Sequence, residues 1–333
     1  MRTVIIMATM AIGAIAYIVL FSVDSSYQST KHDNLLFPNL FNVLEKIEKI
    51  ELLKNDKQLI VKKIEGEWVI ESADNYPANV TKIKKFLLDL TEIKIINIKT
   101  INPSQYHNLA VNDIEEEGQN RFQITIFSEQ GKEIIKFIIK EKFHNGNRTF
   151  IKKFGRKEVF ETQGAPSLTA DKIRWLNADI IDLPSNAVKR ITVNHLDENF
   201  VLVRLDESSI HFKIDELDKD LVEKSPTFTS AISAFLESLK FNDVKRKEII
   251  NESKKLGSFT FKTTNGEEIG VKDFETASGI FTEFSITKGP SSETNSNFTN
   301  PNLIQKFVFK LPKYKRRLLD KKLSDLAKRK SVE

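Results

Sequence analysis

A chain of 333 residues, 40% apolar with 24 Phe and 29% charged, is too apolar for intrinsic disorder and too long for one ordinary domain, so two modules of roughly 140 residues are expected. The absence of Cys excludes a disulfide framework, a thiolate metal site and an acylated-cysteine anchor. The formal charge of +5 is local: nine Lys or Arg and two Asp fall between Lys313 and Lys330, a local +7 that leaves the remainder at −2. The basicity therefore belongs to the tail and argues against a nucleic-acid face on the modules.

Thr3–Val23 carries no charge and at about 1.5 Å per residue is long enough for a membrane-spanning helix. The rival reading is a cleaved signal peptide, for which only Val23-Asp24-Ser25 offers a faint site. Arg2 before the span, and Asp24, Lys31 and Asp33 roughly cancelling after it, place the N-terminus in the cytoplasm and residues 25–333 outside. Zero Cys suits a bacterial periplasm, so the sequons at Asn79, Asn147, Asn251 and Asn297 read as chance.

A polar linker leads into Leu35–Leu44, an amphipathic piece that packs on the module or on the membrane surface. Strand-like runs follow at Ile47–Leu53, Gln58–Ile64 and Glu67–Glu71, then a helix opened by Pro77 with Val80, Ile83, Leu87 and Leu90 at three-and-four spacing. After Ile93–Ile98, the alternations Phe122-Ile124-Ile126 and Ile135-Phe137-Ile139 around Gln130-Gly131 predict a hairpin. Arg148–Phe154 and Glu158–Glu161 predict two more strands, and Leu168–Leu176 a short helix.

From Lys172–Val193 onward the same order returns. At an offset of 149, Pro77 aligns with Pro226, Phe86-Leu87 with Phe235-Leu236, and Leu90 with Leu239. Phe259, Phe261, the turn Asn265-Gly266, Ile269 and Val271 rebuild the hairpin. The expected fold class is α+β: an N-terminal transmembrane helix, then two tandem, duplicated modules of mainly antiparallel sheet, each covered by helices. The layout is a 1–24 anchor, a 25–44 linker and amphipathic segment, modules at 45–183 and 184–312, and a basic helical tail at 313–333.

Trp175-Leu176 followed by Ile180-Ile181-Asp182-Leu183-Pro184 and the strand Val188–Val193, with Arg148–Phe160 upstream, resembles domain-of-unknown-function family 4340 over most of residues 45–310. The resemblance implies a bacterial envelope protein with one N-terminal span, found beside ABC-type transporter and gliding-motility auxiliary proteins. It assigns no catalytic residue. The Lys- and Asn-rich composition departs from more typical members.

The residues themselves offer little chemistry. No G-x-x-x-x-G-K-[ST] loop and no G-x-S-x-G elbow occur, and His32, His107, His144, His195 and His211 fall in no ligand spacing. Asp113 with Glu115–Glu117 reads as a solvated loop in preference to a cation site. The Lys/Phe/Ile alternation over Lys136–Phe160 is expected to send rings and charges to opposite faces, which denies it a stacking platform. The reading is therefore of no catalytic, cofactor-binding or metal residues and no cofactor. It expects a non-enzymatic accessory protein anchored through Thr3–Val23, bound to an ABC-type permease or auxiliary protein, with weak anionic-lipid contact through Lys313–Lys330 and no nucleic-acid partner. The alternative is a periplasmic hydrolase or envelope-polymer-binding protein whose site shows no motif.

Overall fold

The computed structural model describes residues 34–112, 120–141, 146–206, 209–287 and 298–330. The chain divides into two compact units, Met1–Ser72 with Pro77–Trp175, and Ala73–Tyr76 with Leu176–Glu333.

The first sheet is built from β1 Ile47–Lys54, β2 Lys57–Ile64, β3 Glu67–Ile70 and β4 Tyr76–Pro77, then, after helix α1 Val80–Thr91, from β5 Lys94–Thr100, β6 Arg121–Ser128, β7 Glu133–Lys140, β8 Arg148–Lys153 and β9 Val159–Gln163. They form one nine-stranded sheet in the order β4-β3-β2-β1-β6-β7-β8-β9-β5. Alternation determines its two faces: Ile50, Leu52, Leu59, Val61, Ile124, Phe137 and Ile151 are all fully buried, as period two requires when one face is the core. Helix α1 buries Ile83, Phe86, Leu87 and Leu90, and the Phe86 ring meets Trp175 edge-on at 5.2 Å. Asn79, not Pro77, starts this helix: its side chain accepts the Lys82 N–H at 3.1 Å, while Pro77 lies in β4.

The second unit holds β10 Asp179–Ile181, β11 Val188–His195, β12 Asn199–Arg204, β13 Phe212–Ile214 and β14 Leu221–Glu223, then α2 Pro226–Ser233, then β15 Leu239–Lys240, β16 Asp243–Arg246, β17 Lys254–Thr263, β18 Glu268–Thr276 and β19 Gly279–Thr287. It closes with α3 Pro301–Ile304, β20 Phe307–Lys310, α4 Lys313–Leu319, α5 Leu323–Leu326 and β21 Ala327–Arg329. Its main sheet runs β13-β12-β11-β17-β18-β19-β20-β16. Strand for strand this is the order β3-β2-β1-β6-β7-β8-β9-β5 of the first sheet, the far edge being β5, directly after α1, in one and β16, which follows α2 and the short β15, in the other. Phe235, just beyond α2, is fully buried and stacks on Phe261 at 5.6 Å. Tyr76 lies edge-on to Phe241 and Phe307 at 5.4 and 4.9 Å, and its burial raises the phenol pKa to about 12.

The expected fold class is corrected in two respects. Where α+β modules of mainly antiparallel sheet, each covered by helices, are expected, the described chain is mostly antiparallel sheet with no helix longer than the 12 residues of α1. The helix expected over Leu168–Leu176 contracts to a 3-10 turn at Lys172–Trp175, because Thr169 Oγ1 accepts the Asp171 N–H and Asp171 Oδ1 accepts the Ile173 N–H, both at 3.1 Å. Such local bonds compete with the helical ladder. The N-terminal transmembrane helix is not supported: no helix among the described residues is long and apolar enough to cross a membrane, and Thr3–Val23 lies outside those residues.

The tail also differs from a solvated end. Leu319, Leu326 and Ala327 are buried, and β21 pairs with β14 through Leu221↔Arg329, Val222↔Lys328 and Glu223↔Ala327. Lys315 is buried, its ammonium donating to the carbonyls of Ala234, Phe235 and Glu237 at 2.8, 3.0 and 2.6 Å. Three acceptors for three N–H donors close the end of the α2 segment. Burial still lowers the Lys315 pKa, with Glu237 and Asp182 opposing.

Candidate functional site

Three surfaces carry chemistry. The first is the face of the first sheet opposite α1, where the strand register overturns the alternation argument. Ile138 pairs with Lys152, so Lys136 faces Phe154 and Lys140 faces Phe150 across the β7–β8 ladder, all on one side. Phe150, Lys152 and Phe154 share parity, and alternation therefore brings rings and charges together here. The Lys136 ammonium stands 4.2 Å from the Phe154 ring centre, and that of Lys152 stands 5.1 Å from Tyr106 and 5.6 Å from Phe154. Beneath them Val111, Ile138 and Val159 make a small second core, with Tyr106, Leu109, Phe150 and Phe154 packed against it. The rings are thus already covered by ammonium groups, and cation–π pairing of roughly 0.5–1 kcal/mol each is spent within the fold.

The second surface is the far edge of the same sheet. Beyond its first two residues, β5 has no strand on its outer side among the described residues. Leu35 bridges Lys94 and the Ile95 N–H donates to Asn34 O at 2.7 Å, after which the edge is open. Ile96, Ile98 and Ile101 are 37, 56 and 62% exposed. The corresponding strand of the second unit, β16, is closed instead: Asp74 accepts the Arg246 N–H at 2.9 Å and the Lys245 ammonium at 3.2 Å.

The third is a groove of about 930 Å³ between the 3-10 helix Phe41–Lys46 and the end of α1. Leu35, Pro38 and Leu88 give it apolar walls, Phe41 stands in it largely exposed, and Asn39, Asn42, Asn147 and Gln163 contribute four carboxamides. Buried Leu36, Phe37 and Leu40 pin the 34–46 segment, with the Leu36 N–H donating to Ile93 O at 2.8 Å. Asn147 adjoins Arg148, which pairs with Gln163 across β8–β9. Gly164, with φ +88°, turns the chain away at the rim, where an added Cβ would meet Glu92 O at 3.4 Å.

Of the residues weighed in the sequence, His195 is half-buried with Nε2 2.9 Å from Lys321 O, and His107 and His211 are exposed. His32, His144, Asp113 and Glu115–Glu117 lie outside the described residues. Among the described residues no three His, Asp or Glu side chains converge as a metal-holding group. The basic tail residues are partly engaged: Lys322 pairs with Asp197 at 2.5 Å and Arg316 with Asp273 at 2.9 Å. The groove carboxamides escape a reading of the sequence because they come from three separated segments with no shared spacing; the β5 edge escapes it because only the fold reveals which strand is terminal.

No curated protein and no solved structure matches the chain. A family model described as a domain of unknown function, DUF4340, matches residues 68–244, just over half of the chain, and takes in Trp175, the Ile180–Pro184 connection and the strand Val188–Val193 that carry the resemblance. The chain belongs to the DUF4340 family.

Proposed function

We propose that the protein is a non-enzymatic, partner-binding accessory component of a bacterial envelope transport system, working on the periplasmic side of the cytoplasmic membrane, and that an ABC-type permease or auxiliary protein is its partner. The observation that supports this reading is the open β5 edge. Sheets ordinarily protect their terminal strands with charge, bulges or a covering segment. On β5 the bulges at Ile95/Asn97 and Ile98/Thr100 and the flanking Lys94 and Lys99 do part of this work, yet Ile96 and Ile98 on the strand and Ile101 just beyond it remain in solvent. Exposed apolar groups gathered at one place mark a protein contact, and the matching edge of the second unit has its own cover in Asp74. An extended, apolar segment of the partner with acidic residues to meet Lys94 and Lys99 fits this edge.

The test is affinity purification of the tagged full-length chain from its native host in mild detergent, wild type beside Ile98→Asp. A transport-system membrane protein is expected with the wild type and at least ten-fold depleted with the variant. Equal recovery with both, or recovery with neither, overturns the reading. Because Ile98 is more than half exposed, the variant should melt with the wild type, which separates a docking defect from a folding one.

A further inference from the structure

We propose that the groove between the Phe41–Lys46 turn and the end of α1 binds a neutral oligosaccharide. This goes beyond the partner-binding reading, since it concerns an adjoining surface that shares Lys94 with the β5 edge and a different class of ligand. A sugar presents hydroxyls that both donate and accept, together with a face of polarised C–H groups. Its complement is a set of carboxamides, each with two donors and an acceptor oxygen, around an exposed aromatic ring whose electron-rich face meets the C–H groups.

The groove has this composition. Phe41 is 64% exposed, unusual for a ring on a segment whose neighbours Leu36, Phe37 and Leu40 are buried. Asn39 and Asn42 rise from the same segment, and Asn147 and Gln163 from the ends of β8 and β9. None of these four carboxamides hydrogen-bonds to a described protein group, so among the described residues nothing competes with a ligand for their donors and acceptors. The charged residues of the lining, Glu92 and Lys94, cancel, which favours a neutral ligand over a polyanion. The volume of about 930 Å³ lies within the roughly 300–1,000 Å³ of small-molecule sites. Both walls are held by backbone bonds and core side chains, so the backbone that carries the polar groups is fixed before any ligand arrives.

The measurement is calorimetric titration of the full-length protein in lauryldimethylamine oxide, which has no sugar headgroup, with chitotetraose, cellotetraose and maltotetraose. At least one should bind the wild type. Phe41→Ala and the double variant Asn147→Ala/Gln163→Ala should each weaken that binding at least ten-fold, while Ile98→Asp leaves it unchanged. Failure of all three sugars to bind, or binding that survives both groove variants, overturns the proposal. The substituted groove side chains are exposed, and unchanged thermal melts keep a loss of binding attributable to the groove.

Discussion

The guanidinium of Arg316 meets the carboxylate of Asp273 at 2.9 Å on the core side of the second sheet, and the Thr282 hydroxyl donates to the other carboxylate oxygen at 2.6 Å. Burial pushes the Asp273 pKa above the ordinary carboxylate value, with Thr282 and Arg316 pulling it down. The buried carboxylate thus depends on a residue that belongs by sequence to the basic tail. Arg316→Ala should cost about 3–5 kcal/mol, because it leaves a buried charge without its partner, and Asp273→Asn should cost less. A carboxyl whose folded pKa is raised contributes stability that is complete below its unfolded pKa and lost as pH rises through the folded one. The Arg316→Ala deficit should therefore shrink on acidification, and urea melts at pH 7 and pH 5 check both statements.

Lys315 makes a second prediction from the same helix. Its replacement by Met keeps the stem but strands the carbonyls of Ala234, Phe235 and Glu237, at about 1–3 kcal/mol for the lost satisfaction of buried acceptors. Removing Leu319–Glu333 should be worse, since Leu319, Leu326 and the β21 pairing go with it. Thermal melts of the point variant and the truncation should rank in that order.

Tyr76 sets an alkaline limit. Its phenol, raised to about 12 by burial, holds its proton more tightly in the fold than in the unfolded chain. The corresponding stability is complete below about pH 10 and is lost as pH climbs toward 12, each ten-fold gain in proton affinity being worth about 1.4 kcal/mol. Tyr76→Phe should match the wild type at pH 7 and lose less stability between pH 9 and 11.5 in denaturant titrations.

Phe86 and Phe235 occupy matching places, at 5% and 0% exposure, against Trp175 in one unit and Phe261 in the other. Each Phe→Ala should cost about 3–5 kcal/mol, seen as a lowered denaturation midpoint. A shift for one and none for the other would break the equivalence.

These residues also indicate what can be read from sequence. The alternation in Phe122–Ile126 and Ile135–Ile139 marks the central strands, because a sheet with one buried face writes its period directly into the chain. Phe86 and Phe235 stand out through their helical spacing and their shared offset. Local turn chemistry is harder: Pro77 resembles a helix start, but the carboxamide of Asn79 does the capping. Thr169 and Asp171 unwind a helix whose apolar spacing looks sufficient. Parity within one strand says nothing of its neighbour's register, and so the Lys136–Phe154 pairing stays hidden until the sheet is assembled. The edge and the groove depend on which strand ends the sheet and which loops converge, and both are long-range facts.

The most direct test of the docking edge is photo-crosslinking in the native host, with a benzoylphenylalanine placed at position 98 and, in a second strain, at exposed Lys213 on β13 of the other unit. The account predicts a discrete adduct with a membrane transport protein from position 98 and none from position 213. No adduct from position 98, or the same adduct from both positions, would contradict it.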